Sequence, residues 1–341
     1  MIQLLILLDY RSHFYSSTYA RGATMDVWAI KSGFEELGYR VFIQHYSDIN
    51  FSDSDFRNTF VLYQSSEDPS LLYKEYIEDV LLGLRAQGAI LIPGFEKFRA
   101  HHNKVFMEIL RKTILIPGVT SFFSQCFGTY EDYQRSFSPL SYPVVFKPSG
   151  GSKSSDVLIA RNKNEADACA RKLSATPSFY NLWMTIRNWF DRKGFTPRSD
   201  HRRKFVVQQY VPNLSGDYKV VIYGDKYFVL FRENRENDFR ASGSGQLSFP
   251  KEVPLQVLDF AHHTFSVFDV PYASFDIGFD GNSCYLFEFQ FVMFGQFAVE
   301  RSEWFFTKGK KGWTRRDEKT SVESELVTAV HQHIQKKGGV K

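Results

Sequence analysis

The sequence predicts a chain that is α/β through its first hundred residues and α+β thereafter. Three observations carry that expectation. Strand-like and helix-like stretches alternate up to residue 100. A strand ending in a lysine runs straight into a Gly/Ser loop at Tyr142–Asp156, YPVVFKPSGGSKSSD. From Phe205 onward the chain is rich in apolar strand-length runs and closes on SFDIGFDGNSCYLFEFQ.

In the N-terminal part, Ile2–Leu8 is an apolar run of strand length, and Thr24–Leu37 reads as a helix that Gly38 can end. Arg40–His45 and Thr59–Gln64 read as strands. Ser70–Gln87 places Leu71, Leu72, Tyr76, Val80, Leu81 and Leu84 on one helical stripe. The strand Ala89–Pro93 follows Gly88. Strands separated by helices predict a parallel sheet covered by helices, so residues 1–100 are expected to form an N-terminal parallel α/β domain.

Residues 101–204 are expected to form a central subdomain. His101–Lys112 reads as a helix, Tyr130–Arg135 as a short one, and Glu165–Leu173 as another. Pro143–Phe146 and Val157–Ala160 read as antiparallel strands flanking the Gly loop. The stretch 174–204 reads as an insertion. Trp183, Ile186, Trp189 and Phe190 fit a helical stripe, and a basic tract from Arg192 to Lys204 follows. Its plainer reading is a solvated connection. The other is a lid or acceptor-binding element.

Residues 205–341 are expected to form a C-terminal subdomain. Its strands are Phe205–Tyr210, Tyr218–Tyr223, Lys226–Arg232, Ala273–Phe279 and Ser283–Phe291, with a hairpin turn at Tyr223–Lys226. Lys308–Arg316 is a basic cluster, and Thr320–Gln335 a terminal helix.

Composition narrows the function classes. A length of 341 residues allows two or three compact units. A net charge of +4 gives no reason to expect a nucleic-acid partner. The apolar opening has no basic leader and stops at Asp9, so a buried strand is expected rather than a secretory signal. No apolar run approaches the ~20 residues that span a bilayer, so no membrane partner is expected. Cys126, Cys169 and Cys284 lie scattered without C-x-x-C spacing, which points to a cytoplasmic protein without a disulfide framework or zinc site. H-E-x-x-H, G-x-S-x-G and G-x-x-x-x-G-K-[ST] are all missing from the sequence. A homodimer is the default oligomer.

The residues that can do chemistry lie in four places. Strand period puts Val145 and Lys147 on one face, with Val144 and Phe146 on the other. A strand-end lysine beside Gly150, Gly151, Ser152 and Lys153 can hold a phosphate while the loop N–H groups close on it. The bland alternative is a surface lysine before an ordinary turn. On the last strand, Tyr285, Phe287, Phe289 and Phe291 are expected on one face and Leu286, Glu288 and Gln290 on the other. Asp276 is flanked by Phe275 and Ile277 in the same way. Carboxylates on apolar-backed strands need a partner, either magnesium on a polyphosphate or a Lys or Arg elsewhere in the fold. Gln208, Gln209, Tyr210 and Val211 form a strand end whose backbone can read an adenine edge, and Asp217 can accept from ribose hydroxyls. Arg240, in the Gly/Ser-rich loop NRENDFRASGSG, is a candidate to stabilise transferring phosphate.

The order of these motifs resembles the ATP-grasp superfamily, in particular its α-L-glutamate ligase and glutathione synthetase branches, over roughly residues 100 to 295. The resemblance implies a two-subdomain ATP-grasp fold after the N-terminal domain. It matches Lys104 in HHNKVFMEILRK to the family's first lysine and Lys147 to the second. It matches QQYV to the adenine hinge, Asp217 and Lys219 to a G-x-D-x-[RK] pattern without its spacer, and Arg240 to the loop arginine. Asp276, with Glu288-Phe289-Gln290 twelve residues on, matches the magnesium ligands, except that the family's asparagine is Gln290 here. The implied reaction uses ATP with Mg²⁺ or Mn²⁺ to join a small-molecule or peptide carboxylate to an amine (or thiol) through an acylphosphate. The alternatives are a phosphotransferase on the same fold, or a nucleotide-binding protein whose activity Gln290 reduces.

Overall fold

A computed structural model describes residues 2–15, 25–52, 55–66, 68–113, 119, 122–139, 141–151, 156–189, 198–234 and 246–338. The chain packs as two compact units, one built from Met1–His101 with Leu214–Lys341, the other from His102–Asn213.

The first unit begins with β1 (Gln3–Leu8), α1 (Val27–Glu36), β2 (Arg40–His45), β3 (Phe60–Leu62), α2 (Leu72–Ala86), β4 (Ile90–Ile92) and α3 (Phe95–Ala100). The four strands are all parallel, in the order β2-β1-β3-β4. The QLLILL run of β1 lies inside the sheet because it is apolar on both faces. Asp26 caps α1 by accepting from the N–H groups of Trp28 and Ala29, and Gly38 at φ +85° ends it. The predicted helix at Ser70 starts two residues later, because Ser70 and Leu71 both take positive φ. Helix α3 carries no apolar period long enough to announce itself.

The second unit contains α4 (Lys104–Thr113), β5 (Ser124–Phe127), α5 (Tyr130–Ser136), β6 (Val144–Pro148), β7 (Leu158–Ala160), α6 (Lys163–Ser174), α7 (Phe179–Trp189) and β8 (Phe205–Gln209). Its sheet runs β5-β8-β6-β7, antiparallel throughout. Val144 and Phe146 pack into a core with Phe127, Tyr133 and Phe205, the face that strand alternation assigned to them. Helix α7 turns Phe179, Tyr180, Leu182, Trp183 and Ile186 to solvent, while Asn181 points inward and donates to Asp200 at 2.9 Å.

The first unit resumes with β9 (Gly216–Tyr223), β10 (Lys226–Glu233), β11 (Leu247–Ser248), α8 (Leu255–Phe268), β12 (Tyr272–Phe279), β13 (Cys284–Gln290), α9 (Phe297–Arg301), β14 (Phe305–Gly309), β15 (Gly312–Arg316) and α10 (Val322–Gly338). The described strands form a seven-stranded sheet in the order β13-β12-β9-β10-β14-β15, with β11 against β10. The basic cluster at Lys308–Arg316 is thus the β14–β15 hairpin. The predicted turn at Gly224 joins β9 to β10, with Tyr223 opposite Lys226. No side chain fits at Gly216, where a Cβ would stand 2.1 Å from the Arg232 carbonyl oxygen.

One expectation is corrected. The pairing of β12 with β13 shifts register between Asp276 and Ile277, so Phe287 is an extra residue in a β-bulge. The bulge resets the alternation. Leu286 and Phe289 are both buried, and Leu286 does not share a face with Glu288. The Phe287 ring lies over Gly278, where a Cβ would approach it to 2.5 Å.

Candidate functional site

Two clusters carry the chemistry, one in each unit. In the His102–Asn213 unit, Asn103 caps α4, its Oδ1 accepting from the Phe106 N–H at 3.2 Å. The helix predicted from His101 therefore starts at Lys104. The Lys104 N–H donates to the Ser149 carbonyl at 2.8 Å, and its ammonium to the Gly151 carbonyl at 3.0 Å. Gly151 sits at φ +99° with open space where a Cβ would be, so the need for glycine there is conformational. Lys147 ends β6 two residues before this turn, paired with Val206. The structure thus brings together Lys104, Lys147, Gly150 and Gly151. Ser152, Lys153 and Arg240 lie outside the described residues. Lys204, which the sequence left in the insertion, joins the cluster by donating to Asn103 Oδ1 at 2.9 Å.

The hinge residues are tied inward. Gln208 donates from Nε2 to Glu108 Oε1 at 2.7 Å. Glu108 is fully buried and also receives the Ser124 hydroxyl at 2.6 Å and the Arg111 guanidinium at 3.0 and 3.1 Å. Gln209 grips the Phe123 backbone, donating its N–H at 3.1 Å and accepting at Oε1 at 3.0 Å. Both side chains are struts, which leaves ligand recognition at Gln208–Val211 to remaining backbone groups and Tyr210. Val211 is buried and Tyr210 half-buried.

In the other unit, Asp276 opposes Glu288 across β12 and β13, while Phe275 and Ile277 point into the core. Gln290 donates from Nε2 to Glu288 Oε1 at 3.2 Å. Two cations face this set from neighbouring strands. Arg232 donates to Asp276 Oδ2 at 2.8 Å, and Lys219 stands 3.6 Å from Asp276 Oδ1. Arg232 also forks onto both oxygens of Asp217, at 2.6 and 2.8 Å. Asp217 is therefore a buried ion-pair partner of Arg232, not an open acceptor for a ribose. Burial pushes the Asp217 carboxyl up against the pull of Arg232. The Arg232 guanidinium is raised by Asp276 and Asp217 despite its own burial.

The donor set of Asp276, Glu288 and Gln290 is all oxygen on the metal-binding side, which suits a hard divalent cation. Three carboxylates against two cations leave the cluster net negative. No group of three His, Cys, Asp or Glu side chains arranged around a common metal position is present among the described residues, so Gln290 is needed to complete a site. Sequence reasoning missed Arg232, Lys204, Asn103 and Ser149. Arg232 had a signal: the turn at Gly224 fixes the β9–β10 register and sets it opposite Asp217. The cysteines offer no thiolate, since burial pushes Cys126 up to about 11 and Cys284 to about 12.

Among solved structures, the chain is similar to D-cycloserine synthetase DcsG, with a TM-score of 0.55, 11% identity, and coverage of 97% of this chain and 99% of that one. It is also similar to the ATP-grasp ligase PsnB complexed with a minimal precursor, Mg and ADP, with a TM-score of 0.51, 12% identity, and coverage of 97% and 98%. No protein-family model and no curated protein sequence matches. The fold is the ATP-grasp fold. No helix among the described residues is long and apolar enough to cross a membrane.

Proposed function

We propose that the protein is an ADP-forming carboxylate–amine ligase that uses Mg·ATP. The observation that carries this reading is the Lys104 ammonium held on the Gly151 carbonyl, one turn from Lys147, in a chain with the ATP-grasp fold. Lys104, Lys147 and the N–H groups of the Gly150–Gly151 turn would neutralise the polyphosphate. Asp276, Glu288 and Gln290 would hold Mg²⁺, which supplies charge neutralisation on the phosphates. Arg232 and Lys219, anchored by Asp217 and Asp276, supply positive charge beside those ligands and can hold an anionic acyl group in place. A substrate carboxylate would take the γ-phosphoryl group, releasing ADP, and an amine would then displace phosphate to form the amide. Positioning and electrostatics suffice for both steps.

The supporting neighbours are themselves a synthetase and a ligase holding Mg and ADP. The test is ATP consumption against pools of carboxylates and amines, with mass spectrometry of the products. ADP released together with an amide product is expected. Phosphorylated product without amide favours a phosphotransferase on the same fold.

A further inference from the structure

We propose that Lys204 and Asn103 form a positioning pair that presets the phosphate-binding turn, so that Lys204 tunes affinity for the polyphosphate through Asn103. The inference rests on the nucleotide-binding reading above. Asn103 Oδ1 accepts from three donors: the Phe106 N–H at 3.2 Å, the Ser149 hydroxyl at 3.1 Å and the Lys204 ammonium at 2.9 Å. An amide oxygen has two lone pairs, so three donors engage it fully. Each donor belongs to a different part of the cluster. Phe106 is in the first turn of α4, which begins at Lys104. Ser149 follows the strand that carries Lys147. Lys204 immediately precedes β8.

Backbone bonds tie the same three parts. The Lys104 N–H reaches the Ser149 carbonyl at 2.8 Å, and the Ser149 N–H reaches the Lys204 carbonyl at 3.2 Å. The Ser149–Gly151 turn is therefore held at one end through Asn103 and at the other by the Lys104 ammonium. Ordering a glycine-rich turn around an anion costs conformational entropy. A turn ordered before the anion arrives binds it more tightly. The Lys204 contact is charge-assisted, the strongest kind in the set. Lys204 itself is exposed, so replacing it opens no cavity.

The test is calorimetric titration of the full chain with Mg·ATP, in a double-mutant cycle of Lys204→Met and Asn103→Ala, with Lys204→Arg as the conservative variant. Lys204→Met is expected to weaken binding about tenfold without lowering the melting temperature, and Lys204→Arg to restore it to within about twofold. The double variant is expected to be no weaker than the weaker single variant, since the two residues act through one bond. Wild-type affinity in Lys204→Met, a loss that Arg does not restore, or additive losses in the cycle would each overturn the inference alone. A wild-type chain that takes up no Mg·ATP defeats the nucleotide reading, and this inference with it.

Discussion

Replacing Arg232 with methionine tests the acidic cluster most sharply. The Arg232 side chain is 10% exposed and satisfies two carboxylates, at 2.6 and 2.8 Å on Asp217 and 2.8 Å on Asp276. Removing one partner of a buried ion pair typically costs 3–5 kcal/mol. Lys219 remains 3.6 Å from Asp276, so the expected loss is at the lower end, about 3 kcal/mol. With a urea slope of roughly 2 kcal/mol/M, the midpoint should fall by about 1.5 M. The pH dependence has a defined sign. Without Arg232, Asp217 and Asp276 face each other with raised pKa values, and the folded state then binds more protons than the unfolded one. The variant should recover stability as the pH falls from 7.5 to 5. Millimolar Mg²⁺ should also stabilise it, by about 2.7 kcal/mol at a hundredfold excess over the dissociation constant. Urea melts at both pH values, with and without MgCl₂, read all of this. A loss below about 1 kcal/mol, or one equal at both pH values, refutes the assignment of Arg232 as the counter-ion of the two aspartates.

Three further outcomes are expected. Glu108→Ala strands the buried Arg111 guanidinium and frees Gln208, so urea denaturation should show a loss of about 3–5 kcal/mol, whereas Gln208→Ala, which removes one hydrogen bond from Glu108, should cost about 1 kcal/mol. Gln290→Leu removes the amide oxygen beside Glu288 and should weaken Mg²⁺-dependent ATP binding about tenfold; an unchanged calorimetric affinity takes Gln290 out of the metal set. Burial holds the His333 imidazole at about 4, below its usual 6.5. The unfolded state then binds the extra proton between those values, so stability should fall as the pH drops from 6.5 to 4. His333→Gln should flatten that part of the thermal-melt profile.

Much of the site was legible because strand periodicity and turn chemistry act locally. Lys147 ends a strand before Gly150–Gly151 as the alternation of Val144, Val145 and Phe146 required. Asp276 lies between two core residues for the same reason. The illegible parts depend on pairing between distant segments or on single-residue irregularities. The bulge at Phe287 inserts one residue without any compositional mark, and it moved Leu286 to the other face. Strand β5, SQCF, has no apolar alternation, and its place comes from pairing with β8. The ties of Gln208 to Glu108 and of Lys204 to Asn103 join residues about a hundred positions apart, at separations of 100 and 101. Arg232 was legible in principle, since a two-residue turn fixes the register of everything it joins.

Isothermal calorimetry with ATP, in the presence and absence of Mg²⁺, tests the central claim most directly when run on the wild type, Lys147→Ala and Glu288→Ala. Magnesium-dependent binding is expected in the wild type, weakened at least about tenfold in each variant while both remain folded. A wild type that binds ATP with no dependence on magnesium, or variants that bind as the wild type does, would contradict the claim that these lysine and carboxylate clusters act on one Mg·ATP.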